Sequence, residues 1–163
     1  MPEIIILLHN IRSIHNVGSI MRTAEGFGIK NIVFSGYTPH PKIINDNRLP
    51  HLITKIEKEL HKTALGAEKM LSTSKISDVN SYLAEMKRNG YELLALEQSP
   101  SSVELRKYVP SQKIVLILGE EVDGISHSIL EMADKIIEIP MRGQKESFNV
   151  SVAAGIAIYE LTK

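Results

Sequence analysis

The stretch that decides the reading is Ile139-Pro-Met-Arg-Gly-Gln-Lys-Glu-Ser147-Phe-Asn149-Val-Ser-Val-Ala-Ala-Gly155. A short apolar strand, Lys135 to Ile139, runs into Pro140 and then a polar loop. The loop ends at Ser147 and Asn149, both good helix N-caps, because a short side-chain oxygen accepts from a free N–H of the first turn. Val150 to Leu161 is apolar almost all the way round, which predicts burial in a core or in a subunit interface. A polar loop pinned between a buried strand and a buried helix holds its backbone groups rigidly. It also leaves donors free at a helix start, as a site for a small polar ligand requires.

Upstream, apolar strands alternate with helices. Glu3 to Leu8 is a continuous apolar run and predicts a buried parallel strand. His9 to His15 predicts a loop. Asn16 is placed to cap a helix reaching about Phe27, with Val17, Ile20, Met21, Ala24 and Phe27 at helical spacing and Gly26 and Gly28 at its end. Asn31 to Ser35 predicts the next strand, joined by a right-handed crossover. From Gly36 to Leu52, with Pro39, Pro41 and Pro50, the expectation is a long functional loop. Thr54 to Leu71 predicts an interrupted helix and Asp78 to Asn89 an amphipathic one. Tyr91 to Leu96 and Lys113 to Leu118 predict strands. Gln98 to Gln112 predicts a loop with one helical turn, and Ser126 starts a short helix to about Met132. The alternation means α/β, with a mostly parallel sheet flanked by helices.

Composition bounds the function. A chain of 163 residues with 43% hydrophobic and 23% charged residues is expected to form one domain with a sizeable core. There is no Cys, which excludes disulfides and thiolate metal sites and suggests a reducing compartment. The six His are scattered, so no metal site is expected. No secretory leader pattern and no membrane-length apolar run is present, so a cytoplasmic protein is expected. Lys plus Arg and Asp plus Glu are equal at 19 each, which disfavours a dedicated nucleic-acid clamp. Arg12, Arg22, Lys42, Arg48, Arg142 and Lys145 nevertheless lie in or beside loops, where a local basic patch can form.

Ligands of open α/β sheets bind beyond the carboxyl ends of strands. Three such ends carry unusual polar residues: the loop after the first strand, 119–124 and 140–149. None has the glycine pattern of a dinucleotide or P-loop site. Asn10-Ile-Arg-Ser-Ile-His-Asn16-Val-Gly18-Ser-Ile-Met-Arg22-Thr-Ala24 resembles the first motif of the SpoU (TrmH-like) RNA ribose 2′-O-methyltransferases. Leu118-Gly-Glu-Glu121-Val-Asp-Gly124 resembles the second, and Ile139 to Gly155 the third. The motifs occur in order and span nearly the whole chain.

The resemblance implies a SPOUT fold with a C-terminal deep trefoil knot, S-adenosylmethionine as cofactor, tRNA or rRNA as substrate, and a homodimer with the catalytic site near its interface. It places the cofactor against Leu96, Gly119, Ile139, Met141, Ser147 and Phe148. It gives Arg22 the place at the reacting ribose, with Asn16, Glu121, Ser147 and Asn149 around it and Glu121 holding a guanidinium. Phe148 stands where Leu is usual, and Glu120 where Asn is common. Many relatives carry an N-terminal RNA-binding extension, whereas here the first strand begins at once. The expectation is a single domain, 1–163, without that extension, to which a partner protein may deliver RNA. The alternative reading is a non-catalytic RNA-binding or assembly factor on the same fold. The bland readings are that Asn16, Ser147 and Asn149 cap helices, that Arg22 is solvated, and that the last helix is plain core.

Overall fold

The computed structural model describes residues 1–163. The elements are β1 (Glu3–His9), α1 (Ile14–Gly26), β2 (Asn31–Ser35), α2 (Pro50–Ala64), β3 (Ser72–Lys75), α3 (Val79–Arg88), β4 (Glu92–Leu96), β5 (Val103–Glu104), β6 (Lys113–Leu118), α4 (His127–Met132), β7 (Lys135–Glu138) and α5 (Val150–Leu161). The strands form one sheet in the order β3-β2-β1-β6-β4-β7-β5. Every pairing is parallel. No helix is long and apolar enough to cross a membrane.

The continuous apolar runs are explained by burial on both faces. Side chains of a strand alternate between faces. In β1, Ile4, Ile6 and Leu8 enter one core with α1, α2 and α5, while Ile5 and Leu7 enter a second core with α3 and α4. In β6, Ile114, Leu116 and Leu118 likewise oppose Val115 and Ile117. These adjacent strands are the centre of the sheet.

A crossing connection lies at the other side. Leu96 of β4 and Val103 of β5 flank Ile137 of β7 from opposite sides. Segment 97–102 therefore crosses from one side of β7 to the other. This arrangement is consistent with the trefoil knot that the resemblance implies.

Several expectations need correction. The helix start is capped by Ser13, whose side chain accepts from the Asn16 N–H at 3.3 Å, so Asn16 is not the cap. The segment expected to be loop up to Leu52 ends at Leu49, where Pro50 begins α2; its missing N–H is no loss there. Arg48 is not available to a basic patch. Its guanidinium bonds Asp46 Oδ1 at 2.9 Å and the carbonyls of His40 and Pro41 at 3.0 Å, stapling the 36–49 loop. Those bonds hold the Asp46 carboxyl well below its usual range. Strands β3 and β5 went unread, because Ser72–Lys75 is polar and Val103–Glu104 is two residues long. The last helix, expected in a core or in a subunit interface, is buried on one face within the single chain. Ala154, Ala157, Ile158 and Leu161 are buried, but Val152 and Tyr159 are 50% and 55% exposed.

Gly18 marks where α1 meets α2. A Cβ there would lie 2.1 Å from Thr63 Oγ1 and 2.6 Å from the Leu60 carbonyl oxygen. Gly26, on the same helix, has nothing within 4 Å of such a Cβ. Gly18→Ala is expected to destabilise by about 1–3 kcal/mol through overpacking, lowering Tm by several degrees. Gly26→Ala should leave Tm unchanged or raise it. Thermal unfolding of the two variants side by side checks the contrast.

Candidate active site

Three loops meet beyond the carboxyl ends of β4, β6 and β7, and the loop after β1 bonds to one of them at Glu121. The three enclose a cavity of about 300 Å³. Of the residues assigned to a cofactor, Leu96, Gly119, Ile139, Ser147 and Phe148 line it together. Met141 does not; it lines an adjoining groove that shares Ser147 and Phe148 with the cavity.

The 119–124 turn is built by its glycines. Gly124 has φ +70°, a conformation that L side chains rarely adopt. Its N–H donates to the Glu120 carbonyl at 3.1 Å. Glu97 Oε2 accepts from the Ile125 N–H at 2.9 Å, and a Cβ on Gly124 would sit 2.3 Å from that oxygen. A Cβ on Gly119 would meet Gly124 backbone at 2.8 Å. Gly119 is therefore required by the turn itself, in addition to any close approach of a ligand.

Three of the residues assigned to catalysis form one hydrogen-bonded chain. Asn149 Nδ2 donates to Asn16 Oδ1 at 3.2 Å, and Asn16 Nδ2 donates to Glu121 Oε1 at 3.1 Å. Asn149 also caps α5: its Oδ1 accepts from the Ser151 N–H at 2.9 Å. The capping and site readings of Asn149 are thus compatible, whereas Ser147 caps nothing. Glu121 does not hold a guanidinium within its own chain. Its oxygens accept from the Arg12 and Ser13 N–H groups at 3.2 and 3.3 Å, at the start of α1. Burial works against its charge, but these N–H donors and the Asn16 amide together hold the carboxyl below its ordinary value.

Arg22 is exposed on α1 and lines neither cavity nor groove. It stands six residues beyond Asn16, about 9 Å along the helix. Glu120, the departure from the family pattern, accepts from the Tyr37 hydroxyl at 2.5 Å and faces Arg12 at 3.7 Å. Its charge is therefore tied to an aromatic side chain and a cation at the rim.

Sequence reasoning missed most of the cavity's charge. Glu97, Glu120, Glu121, Asp123, Glu138 and Glu146 line it, with no Lys, Arg or His. Glu97 and Glu138 sit beside strand ends already singled out at Leu96 and Ile139, so position was a usable signal. Nothing in the sequence pointed to Tyr37.

A carboxyl depressed in the folded state contributes stability above its unfolded value, and that contribution is lost as pH falls. For Glu121 the ordinary value is 4.5. At neutral pH wild type should melt a few degrees above Glu121→Gln. The gap should close as pH falls below about 4.5, as measured by calorimetry from pH 7 to 3.

The profile of the SpoU rRNA Methylase family matches residues 3–159. The tRNA (guanosine(18)-2′-O)-methyltransferase of Aquifex aeolicus is 32% identical over 158 residues, covering 97% of this chain and 68% of that protein. The crystal structure of an A. aeolicus TrmH/SpoU tRNA modifying enzyme superposes with a TM-score of 0.82 at 30% identity, covering 99% of this chain and 75% of the other. An AdoMet-bound rRNA methyltransferase from Sinorhizobium meliloti gives 0.81 at 23% identity, with 98% of this chain on 55% of the other, a likeness of fold. The family match spans the sheet and all three motif loops, and the chain belongs to the SpoU rRNA methylase family.

Proposed function

We propose that the protein methylates a ribose 2′-hydroxyl of tRNA or rRNA, with S-adenosylmethionine as methyl donor. The observation that carries this reading is the convergence of the three motif loops: five of the six residues assigned to the cofactor line one cavity, and Asn16, Glu121 and Asn149 bond to one another at its edge. The cavity fits the donor. Leu96, Ile139 and Phe148 offer apolar walls for an adenine, and the acidic lining suits a positively charged sulfonium. When bound, that sulfonium supplies an activated methyl group. The residues of this chain orient the hydroxyl and exclude misaligned approaches, which is where much of the rate comes from. Asn16 and Asn149 have fixed amides for that purpose. A hydrogen-bonded set of this kind, kept intact, also speaks against a non-catalytic RNA-binding factor.

Arg22 is assigned to the reacting ribose, yet it does not line the cavity of its own chain. A homodimer accounts for this: α1 packs on α5, and α5 leaves Val152 and Tyr159 half exposed, with Phe27 edge-on to Tyr159 at 6.1 Å. A second copy covering this apolar face brings its own Arg22 to the neighbouring site. The reading places the protein in the cytoplasm, where its RNA is.

Incubation with radiolabelled S-adenosylmethionine and unmodified tRNA and rRNA, followed by nucleoside analysis, should give labelled 2′-O-methylnucleosides from one RNA pool. Label on a base, or none from either pool, defeats the reading. Arg22→Ala should lower kcat/KM about 100-fold or more while calorimetry finds cofactor affinity unchanged. Tyr159→Glu should sediment as a monomer where wild type sediments as a dimer.

A further inference from the structure

The groove beside the cavity has the opposite charge. It measures about 720 Å³ and is lined by Arg106, Arg142 and Lys145, together with Met141, Ser147, Phe148 and Asn149. No carboxylate lines it. Its neighbour has six carboxylates and no cation. The two share only Ser147 and Phe148.

The three cations make no ion pair within the chain. Six cations elsewhere are ion-paired: Arg12 with Glu120, Arg48 with Asp46, Lys62 with Glu59, Lys87 with Asp134, Lys107 with Glu104 and Lys163 with Glu160. Arg106, Arg142 and Lys145 form no ion pair or side-chain hydrogen bond. Three like charges around one groove repel one another, and an anion seated among them relieves that repulsion. The groove also contains Asn149, the residue that caps the twelve-residue helix α5. The positive end of that helix dipole adds to the same field.

We propose that this groove seats backbone phosphates of the RNA beside the nucleotide that is methylated; this rests on the methyltransferase reading above. Arg106, Arg142 and Lys145 are positioning residues, with the ribose brought over Phe148 and Ser147 toward the cavity. Arginine suits the task because its planar fork matches phosphate oxygens. Two of the three cations come from the third motif loop. The third, Arg106, comes from the turn Leu105–Lys107 that follows β5. The groove is therefore built from the chain after β5 and the chain after β7, two neighbouring strands. Its ligand is a polyanion that spans the groove mouth, not a small anion.

The test measures RNA affinity against salt for wild type, each single Gln variant at positions Arg106, Arg142 and Lys145, and the triple variant. Unmodified tRNA and rRNA fragments serve as probes, and cofactor affinity and melting temperature are measured in parallel. Each phosphate contact contributes about 0.7–0.9 to the slope of log affinity against log salt. The triple variant should lose about 2 from that slope and bind RNA at least about 10-fold more weakly at low salt. Cofactor affinity and Tm should hold, with KM for RNA raised and kcat changed less than about two-fold at saturating RNA. Inorganic phosphate at matched ionic strength should not compete.

An unchanged RNA affinity and slope overturns the proposal. An equal loss of cofactor affinity also overturns it, because the groove then belongs to the donor site. Competition by micromolar inorganic phosphate replaces RNA with a small anion, and competition by an acidic polypeptide alone replaces it with a protein. If wild type transfers methyl but the variants match it in KM for RNA as well as in kcat, the groove assignment fails and the enzyme reading stands. Wild type that binds RNA through these residues without methylating it leaves the groove and removes the enzyme reading.

Discussion

Strand β7 has neighbours on both sides that were laid down before it, and the site depends on that seat. Hydrogen bonding to β4 and β5 puts Ile137 between Leu96 and Val103. The crossing segment 97–102 and the outgoing segment 139–149 are thereby forced to the same end of the sheet. Gln98 Nε2 then donates to the Glu146 carbonyl at 2.8 Å and ties one to the other. A β7 at a free edge would have left these loops apart, and the cavity between them would not exist. The topology thus does for the site what disulfides do in other small domains, in a chain that has no Cys.

The chain of amides from Asn149 through Asn16 to Glu121 works within that frame. Glu121 and Asn149 are exposed and Asn16 is half-buried, so each bond contributes little to stability, about 1 kcal/mol or less. Its value is positional. It joins residues far apart in sequence, at the starts of α1 and α5 and in the turn after β6. Glu121 sits at the N-terminal end of α1, where a helix dipole favours an anion, and its oxygens take the N–H groups of Arg12 and Ser13. One carboxylate therefore fixes both the start of a helix and the orientation of an asparagine.

The sheet was legible where burial on two faces left an apolar run, as in Ile4 to Leu8 and Ile114 to Leu118. It was not legible at Ser72–Lys75 or Val103–Glu104. An edge strand buries little, and its hydrogen bonds leave no trace in composition. Asn16 looked like a cap by its type, and only the backbone could show that Ser13 holds that place. Gly18 and Gly119 were visible as motif glycines, but their reasons were not. One admits Thr63 and the Leu60 carbonyl, the other the backbone of Gly124, and both reasons are distances between segments remote in sequence. The site was legible as three motifs at strand ends. Its electrostatics were not, because Glu97, Glu138, Glu146 and Arg106 come close only once β4, β7 and β5 lie side by side.

A net charge of zero suggested little appetite for nucleic acid, and the reason it misled is that net charge is a sum over the surface. With 19 charges of each sign, what matters to a polyanion is the field within a Debye length of the contact, about 8–10 Å at ordinary salt. Here the signs are sorted into two adjacent concavities. On the proposed reading, the acidic one admits a cationic donor and repels phosphate, while the basic one does the reverse. Phe148, 41% exposed, and Ser147 form the boundary. An RNA strand held by its phosphates on one side and turned away from carboxylates on the other has few orientations left. The edge it can present across the boundary is the sugar, the part of a nucleotide that carries neither charge nor a large base. The preference for ribose chemistry then follows from charge sorting as much as from any single side chain.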